Sequence, residues 1–222
     1  MKAAIIGTTG LIGGHLLRLL SVDEYYEKVN SISRRPMDIG HSRIKNYTIN
    51  FDAMGNYKDA FNVDVVFCTL GTTIKKAGSQ EEFRKVDYEY VLESAKISKE
   101  MGVSKFLVVT ALGSDANSMI FYNKVKGEIE NALSSLSLPY LGVFQPSLLL
   151  GERGEVRTGE KVGEIFMGAL SFVFIGPLKK YKAIKAETVA RSMIKISKMD
   201  KKGIEFIESD KIEEISKESI NF

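Results

Sequence analysis

The sequence has little of what marks metal-binding, disulfide-linked or membrane-spanning proteins. Its 222 residues include one cysteine and two histidines, so an internal disulfide cannot form and a Cys/His metal site would lack ligands. No apolar run approaches the ~18 residues that a membrane span needs, and the most apolar late stretch, at 167–175, is about half as long. We therefore expect a protein with no metal and no membrane span, in the reducing cytoplasm.

An excess of charge of either sign is also missing. The chain has 31 Lys and Arg residues against 28 Asp and Glu residues, and no basic block is interleaved with aromatic residues. A net charge of +3 gives no argument for a nucleic-acid partner. The hydrophobic fraction of 44% is enough to bury one sizeable core. We expect a small-molecule substrate as the main partner, and the sequence leaves a homodimer or a regulatory protein partner open.

What the sequence does contain is a glycine-rich turn directly after its first apolar run. Residues 3–6 (AAII) can form a buried strand, GTTGLIG follows at 7–13, and an apolar helical pattern comes next. This order is the first half of a dinucleotide-binding unit, in which a pyrophosphate meets free N–H groups at a helix N-terminus. Gly7 permits the tight turn, Gly10 leaves room for the phosphates, and Gly13 lets the helix approach the strand. The alternative is an ordinary strand-to-helix turn, because the spacing is GxxGxxG and not GxGxxG.

Further along the chain, apolar runs and helical patterns alternate without a long polar gap. This alternation predicts an α/β fold with a doubly wound parallel sheet (Rossmann). We place a nucleotide-binding core at 1–150 and a small C-terminal α+β appendage at 151–222, packed on the substrate side of the core within one compact domain. Strands are expected at 3–6, 29–33, 47–51, 64–70, 105–112 and 139–144, long helices at 79–101 and 117–133, and an edge strand at 203–208.

The residues after the second and third predicted strands indicate which dinucleotide binds. An acidic residue at the tip of the second strand would accept the ribose 2′-OH of NAD, but this chain has Arg34 and Arg35 there. Guanidinium groups pair well with phosphate, so we expect NADPH (NADP) to be preferred over NADH. Asp52, after the third strand, is placed to accept from the adenine amino group. The alternatives are a solvated basic turn for the arginines and a helix-cap or turn residue for Asp52.

Candidate catalytic residues lie where the fifth strand leads into the next helix. Tyr122 and Lys126 are four residues apart and share a helix face. A nearby ammonium favours phenolate, so Tyr122 can exchange a proton with a substrate oxygen while Lys126 also holds the nicotinamide ribose. A hydroxyl at the strand end, Thr110 or Ser114, would orient that oxygen. The alternative is a helix-surface pair, and Tyr181 also has a lysine four residues on, although no strand-end hydroxyl precedes it.

Motifs spread over nearly the whole chain carry a family resemblance. They are GTTGLIG at 7–13, the Arg34–Arg35 pair, FCTLGTT at 67–73 with KKAGS at 75–79, F-x-x-V-D at 83–87, YNKVKGEIE at 122–130 and FQPSLLLGER at 144–153. In these the chain resembles the atypical short-chain dehydrogenase/reductases, and within them the Tat-interacting oxidoreductase group. The resemblance implies a Rossmann fold that binds NADPH. It implies cofactor contacts at Gly7, Thr8, Thr9, Gly10, Leu11, Ile12, Arg34, Arg35, Leu70, Gly71, Tyr122, Lys126 and Arg153.

The chain departs from this family at two places and leaves the substrate undefined. The family's Arg-Pro-Gly after the sixth strand is Gln145-Pro146-Ser147 here, which predicts altered contacts near the nicotinamide, and Thr110 replaces a serine but keeps the hydroxyl. We predict an NADPH-dependent oxidoreductase that acts on an unidentified small carbonyl or alcohol. Two alternatives stay open: a nucleotide-sugar epimerase or dehydratase, disfavoured by the short C-terminal segment, and a non-catalytic NADPH-binding redox sensor.

Overall fold

A computed structural model describes residues 1–37, 39–150 and 176–218, and its central feature is a sheet of seven parallel strands. In chain order these strands are β1 (Lys2–Ile6), β2 (Lys28–Ser33), β3 (Ile44–Thr48), β4 (Val65–Cys68), β5 (Lys105–Val109), β6 (Tyr140–Gln145) and, after the short β7 (Leu149–Leu150) and β8 (Ile184–Lys185), β9 (Gly203–Glu208). The spatial order is β3-β2-β1-β4-β5-β6-β9, with β7 and β8 paired separately. Strand order reverses beside β1, which pairs with both β2 and β4, so the predicted doubly wound sheet is confirmed.

Helices cover both faces of the sheet. They are α1 (Leu11–Val22), α2 (Ile74–Ala77), α3 (Gln80–Arg84), α4 (Tyr90–Glu100), α5 (Phe121–Ser134), α6 (Ala186–Lys198) and α7 (Ser209–Lys217), with 3-10 segments at Phe51–Phe61 and Gly176–Tyr181 and a π segment at Lys85–Glu89. Within the described ranges, none of these helices has the length and apolar character needed to cross a membrane.

The central strands are apolar throughout because each of their faces meets a separate core. In β1, Ala3 and Ile5 belong to the cluster under α1, α6 and α7, whereas Ala4 and Ile6 belong to the cluster under α4 and α5. All four side chains are fully buried. A strand with both faces covered needs no polar alternation, which is why the apolar runs located β1, β4, β5 and β6 well.

The third strand lies three residues earlier than predicted. It spans Ile44–Thr48, not 47–51, and pairs in parallel with β2 at the sheet's edge. The apolar residues that suggested the later position are both buried: Ile49 lies between β3 and the 3-10 segment, and Phe51 is the first residue of that segment. Asn50 begins that segment, because its side-chain oxygen accepts from the Asp52 N–H at 3.0 Å.

The long helix predicted at 79–101 is present but is not uniformly α-helical. Ser79 caps it as expected, since its hydroxyl oxygen accepts from the Glu82 N–H at 3.0 Å, and Gly102 follows its end with φ of +72°. Between α3 and α4 the backbone forms one π segment, Lys85–Glu89. The helix predicted at 117–133 begins at Phe121, because residues 115–118 form a turn in which Asp115 accepts from Asn117.

The predicted edge strand at 203–208 is confirmed as β9. It pairs in parallel with β6 along its whole length and forms the edge of the sheet. Ile207 is buried against α6 and α7, while Ile204 and Phe206 are about half exposed on the other face. The division of the chain at residue 150 stays a prediction, since residues 151–175 lie outside the described ranges.

Candidate functional site

The glycine turn after β1 is built so tightly that added side chains would collide. A Cβ on Gly13 would lie 2.1 Å from the Gly7 carbonyl oxygen, and one on Gly7 would lie 2.8 Å from the Thr69 carbonyl oxygen. Gly7 also has φ of +91°, which favours glycine. Gly10 is the N-cap residue of α1. Because glycine has no side chain, it forms no capping hydrogen bond with the first N–H groups of the helix. These features fit the phosphates of a dinucleotide, which need close approach to bare N–H groups.

The other residues of this turn differ in what they can offer a ligand. Thr8 is buried, and its hydroxyl accepts from Ser31 at 3.1 Å. Ile12 is also buried in the core under α1, whereas Thr9 is exposed and Leu11 is half-buried. Any contact of Thr8 or Ile12 with a phosphate would therefore come from the backbone.

A cleft of about 540 Å³ lies at the carboxyl ends of β2 and β3. Its lining contains both signs of charge and consists of Arg34, Thr48, Ile49, Asn50, Phe51, Asp52, Glu82, Lys85 and Tyr90. Arg34 thus borders the cleft, whereas Arg35 is exposed and does not line it. This is the position that the adenosine end of a dinucleotide takes relative to the glycine turn in such sheets.

Asp52 is held in this cleft by two side chains from the long helix. Its Oδ1 accepts from the Tyr90 hydroxyl at 2.7 Å and lies 2.7 Å from Lys85 Nζ. The hydrogen bonds from Lys85 and Tyr90 hold the pKa of Asp52 below its ordinary value, although the side chain is largely exposed. Asp52 therefore presents a fixed carboxylate in the cleft.

The turn after β4 forms the next part of the same sheet edge. Leu70 packs against the core as a half-buried residue, and Gly71 is exposed. The Thr72 N–H donates to Asp87 Oδ2 at 2.9 Å, which ties the turn to the π segment. This turn lies beside the one that follows β1, and the cofactor contacts of Leu70 and Gly71 stay a prediction.

Tyr122 and Lys126 lie on α5, one helical turn apart, in different environments. Lys126 is only 4% exposed, and its Nζ lies 2.8 Å from Oδ1 of Asp87, which is 1% exposed. Burial opposes the ammonium charge, but the Asp87 carboxylate and then Tyr122 outweigh it, so the pKa of Lys126 lies above its ordinary value. Tyr122 is half-buried, with its ring tilted against Phe83 at a centroid distance of 5.6 Å.

The two candidate hydroxyls are both engaged with backbone carbonyls. Thr110 is buried directly after β5, and its hydroxyl donates to the Phe144 carbonyl at 3.4 Å, whereas Ser114 donates to the Ala111 carbonyl at 2.7 Å. Tyr181 is exposed in the last 3-10 segment, and its potential partner Lys185 lies in β8. The second tyrosine–lysine spacing therefore does not place its two residues on one helix.

Asp87 is the site residue that sequence reasoning missed, although F-x-x-V-D was noted as a motif. A usable signal was present: Phe83, Asp87, Val91 and Ala95 recur every four residues, and all four are buried. A carboxylate on the buried stripe of a helix requires a buried partner, because an unpaired charge is costly there.

Arg153, the last of the predicted cofactor contacts, lies outside the described residues. Within the described ranges no group of three or more His, Cys, Asp or Glu side chains could hold a metal ion.

Gln145, at the position where the resemblance implies an arginine, contacts α5. Its amide nitrogen donates to both carboxylate oxygens of Glu130 at 3.0 Å, and Glu130 is only 6% exposed. The site therefore provides a neutral donor for a buried carboxylate. A guanidinium could form two charge-assisted bonds with the same group.

This contact predicts that Gln145→Arg stabilises the protein. We expect a gain of about 1–2 kcal/mol in the free energy of unfolding, because a hydrogen bond between charged groups replaces a weaker one. Urea denaturation followed by circular dichroism measures it. In a Glu130→Gln background the gain should disappear, and an unchanged or lower stability of the single variant would show that the arginine does not reach Glu130.

Comparison with known proteins gives the family. No family model matches the chain. "Protein FMP52, mitochondrial" of Debaryomyces hansenii is 37% identical over 156 residues, which make up 69% of this chain and 69% of that protein. "Protein HTATIP2" of Rattus norvegicus is 34% identical over 194 residues, or 86% of this chain and 78% of that protein. The chain belongs to the HTATIP2-like atypical short-chain dehydrogenase/reductases. The resemblance seen in the motifs is thereby confirmed.

Solved structures agree with the fold of this HTATIP2-like chain. MoeE5, solved with UDP-glucose and NAD, superposes with a TM-score of 0.69 at 13% identity, covering 97% of this chain and 81% of that chain. Helicobacter pylori ADP-L-glycero-D-manno-heptose-6-epimerase gives 0.68 at 16% identity, with the same coverage. At such identities the likeness establishes the Rossmann-like fold alone.

The expectation of a cytoplasmic location is wrong by the same comparison. The relatives from Debaryomyces hansenii, Scheffersomyces stipitis, Lodderomyces elongisporus and Candida albicans all carry "mitochondrial" in their names. A single cysteine excludes an internal disulfide, but it does not identify a compartment. The names of these FMP52 relatives thus correct an inference that cysteine content alone could not support.

Proposed function

We propose that this chain is an NADPH-dependent oxidoreductase that reduces or oxidises a small carbonyl or alcohol. The observation that carries the proposal is the buried Lys126, one helical turn from Tyr122. Their helix follows β5, whose carboxyl end lies on the same sheet edge as the glycine turn. Membership of the HTATIP2-like family and the fold's likeness to proteins solved with NAD support a nicotinamide dinucleotide as the cofactor.

The chain's own residues would handle the proton and the charge of the reaction. A bound nicotinamide dinucleotide would supply or accept the hydride. Tyr122 would give its hydroxyl proton to the oxygen of a carbonyl substrate, and the charged Lys126 would stabilise the phenolate that results. Thr110 or Ser114 would orient the substrate oxygen once its hydroxyl proton turns away from the backbone carbonyl that accepts it. A hydrogen bond to that oxygen would stabilise its developing negative charge.

The preference for NADPH is proposed from the charge in the cleft. Arg34 borders it and is the cation proposed to meet the 2′-phosphate, whereas Lys85, also in the lining, is paired with Asp52. We expect Arg34→Ala to weaken NADPH binding about 10- to 100-fold, because a bond between charged groups contributes about 1.5–3 kcal/mol. NADH, which lacks the 2′-phosphate, should be affected little. Fluorescence titration of both nucleotides measures the ratio of their dissociation constants.

Arg35→Ala is the matched control for this experiment. Arg35 neighbours Arg34 and has the same charge, but it does not line the cleft, so we expect a smaller change in the NADPH dissociation constant. Equal weakening of NADPH and NADH by Arg34→Ala would contradict recognition of the 2′-phosphate. It would leave Arg34 with a general role in nucleotide binding.

The reaction class is tested by following NADPH absorbance with a panel of small aldehydes, ketones and quinones. Oxidation of NADPH that depends on one of these compounds supports the proposed oxidoreductase. Tight NADPH binding with no oxidation across the panel would instead indicate a redox sensor. Interconversion of nucleotide sugars without net NADPH consumption would indicate an epimerase.

A further inference from the structure

We propose that Asp87 is a positioning residue that fixes the Lys126 ammonium and links it to the backbone turn after β4. This inference deepens the proposed function and rests on it, since Lys126 matters here as a group of the cofactor site. The glycine turn and the tyrosine–lysine pair do not by themselves require a buried carboxylate at this place.

The two oxygens of Asp87 have different partners. Oδ1 lies 2.8 Å from Lys126 Nζ, and Oδ2 accepts from the Thr72 N–H at 2.9 Å. A Cβ on Gly71, the residue before Thr72, would lie 3.5 Å from Oδ1, so the turn passes close to the carboxylate. One buried group thus joins α5 to the turn after β4 through an ion pair and a hydrogen bond.

The backbone at Asp87 is irregular. The residue lies in the middle of the π segment, Lys85–Glu89, which interrupts the long helix. Single π turns within helices occur frequently at functional sites. Lys85, in the same segment, pairs with Asp52 in the cleft at the carboxyl ends of β2 and β3. The π segment therefore contributes charged side chains to two separate parts of the expected cofactor site.

The charges around Lys126 explain why Asp87 matters to it. Among the described residues, the titratable groups that act on Lys126 are Asp87 from the π segment, Tyr122 from its own helix and Cys68 from β4, and Asp87 has the strongest effect of the three. Burial raises the pKa of Cys68 to about 11, so that this thiol is neutral near pH 7. Without the Asp87 charge, Lys126 would be a buried ammonium that has lost its main compensation, and it would release its proton at a lower pH.

The test is a double-mutant cycle on NADPH binding. Fluorescence titrations compare the wild type, Asp87→Asn, Lys126→Met and the double variant between about pH 7 and pH 9.5, below the ordinary lysine pKa of ~10.4. Asparagine keeps the size of the side chain and an oxygen that can accept from the Thr72 N–H. The substitution therefore removes the negative charge while the bond to the turn can persist.

We expect Asp87→Asn to weaken NADPH binding about tenfold at pH 8, and by no more than about twofold in the Lys126→Met background. Wild-type affinity should be constant over the pH range, because Lys126 stays charged. Affinity of the Asp87→Asn variant should fall as the pH rises, since its lysine loses the proton within the range. Asp87→Glu restores the charge and should restore a flat profile.

Glu128→Gln is the matched control. Glu128 on α5 forms an ion pair with Arg84 on α3, and this ion pair joins neighbouring helices and includes neither the turn nor Lys126. We expect its NADPH affinity and pH profile to match the wild type. A loss that is equal in both lysine backgrounds, or a flat profile for Asp87→Asn, would overturn the proposal.

Folding is a separate readout that keeps the proposal testable. If Asp87→Asn alone fails to fold but the double variant with Lys126→Met folds and binds like Lys126→Met, the proposal is supported. If both fail to fold, Asp87 acts independently of Lys126 and the proposal is overturned. If the wild type binds neither NADPH nor NADH, the proposed function itself fails, and that outcome is distinguishable from all the others.

Discussion

Tyr122→Phe is expected to lower kcat for the best carbonyl substrate by about 10²- to 10⁴-fold, the usual contribution of a positioned proton donor. The substitution removes one hydroxyl and keeps the ring, which packs against Phe83. NADPH affinity should therefore change by less than about threefold, or about 0.7 kcal/mol. Steady-state kinetics with NADPH absorbance, together with the binding titration, separate the two quantities.

Tyr181→Phe provides the matched control for this prediction. Tyr181 has the same spacing to a lysine but is exposed in a 3-10 segment, so its loss should leave kcat unchanged. Full activity of Tyr122→Phe would rule out the proton-donor role. A parallel loss of NADPH affinity and kcat would show that Tyr122 also contacts the cofactor, and the kcat loss would then not by itself establish a proton donor.

Gly13→Ala is expected to abolish NADPH binding within the measurable range, a loss of about 100-fold or more. The added methyl would lie 2.1 Å from the Gly7 carbonyl oxygen, and 2.9 Å from the Thr69 hydroxyl. Both neighbours belong to turns between strands and helices, so α1 must move away from the sheet. That movement displaces the N-terminal amides of α1 from the position that the phosphates require. Overpacking of this kind costs typically about 1–3 kcal/mol of stability as well.

Gly14→Ala is a stringent control, because it changes the next residue of the same helix in the same way. Gly14 is exposed, and the nearest atom to its added Cβ, the Thr8 carbonyl oxygen, lies 3.7 Å away. Alanine favours helix over glycine by about 1 kcal/mol, so we expect equal or higher stability and unchanged NADPH affinity. If Gly14→Ala and Gly13→Ala behave alike, close packing at Gly13 is not what shapes the turn.

The fold could be predicted from the sequence where both faces of a strand are buried. An apolar run was enough to predict β1, β4, β5 and β6, because each face of these strands packs against its own hydrophobic core. β3 could not be placed in the same way, since its sequence IKNYT is half exposed at the sheet edge and carries no apolar run. Its neighbour Phe51 looks like a strand residue but is buried in a 3-10 segment.

The candidate site was predictable to the extent that it depends on local spacing. The glycines and the tyrosine–lysine pair are close in sequence, and the structure places them as the spacing requires. Asp87 and Lys126, in contrast, are 39 residues apart in the sequence. Their pairing depends on a π segment that cannot be recognised from the sequence alone. Gln145 and Glu130 likewise meet only once β6 and α5 are packed together. Contacts between distant elements are what the sequence alone could not supply.

The seventh strand has a consequence for the order in which the chain can complete its fold. β9 pairs with β6 only after residues 203–208 have been synthesised, although β6 ends at residue 145. Until then, β6 is an open edge whose amide and carbonyl groups can pair with another polypeptide. In a nascent or shortened chain that stops before Gly203, β6 is thus an unpaired edge strand of the sheet. The last strand therefore covers β6 and itself becomes the outer edge of the sheet.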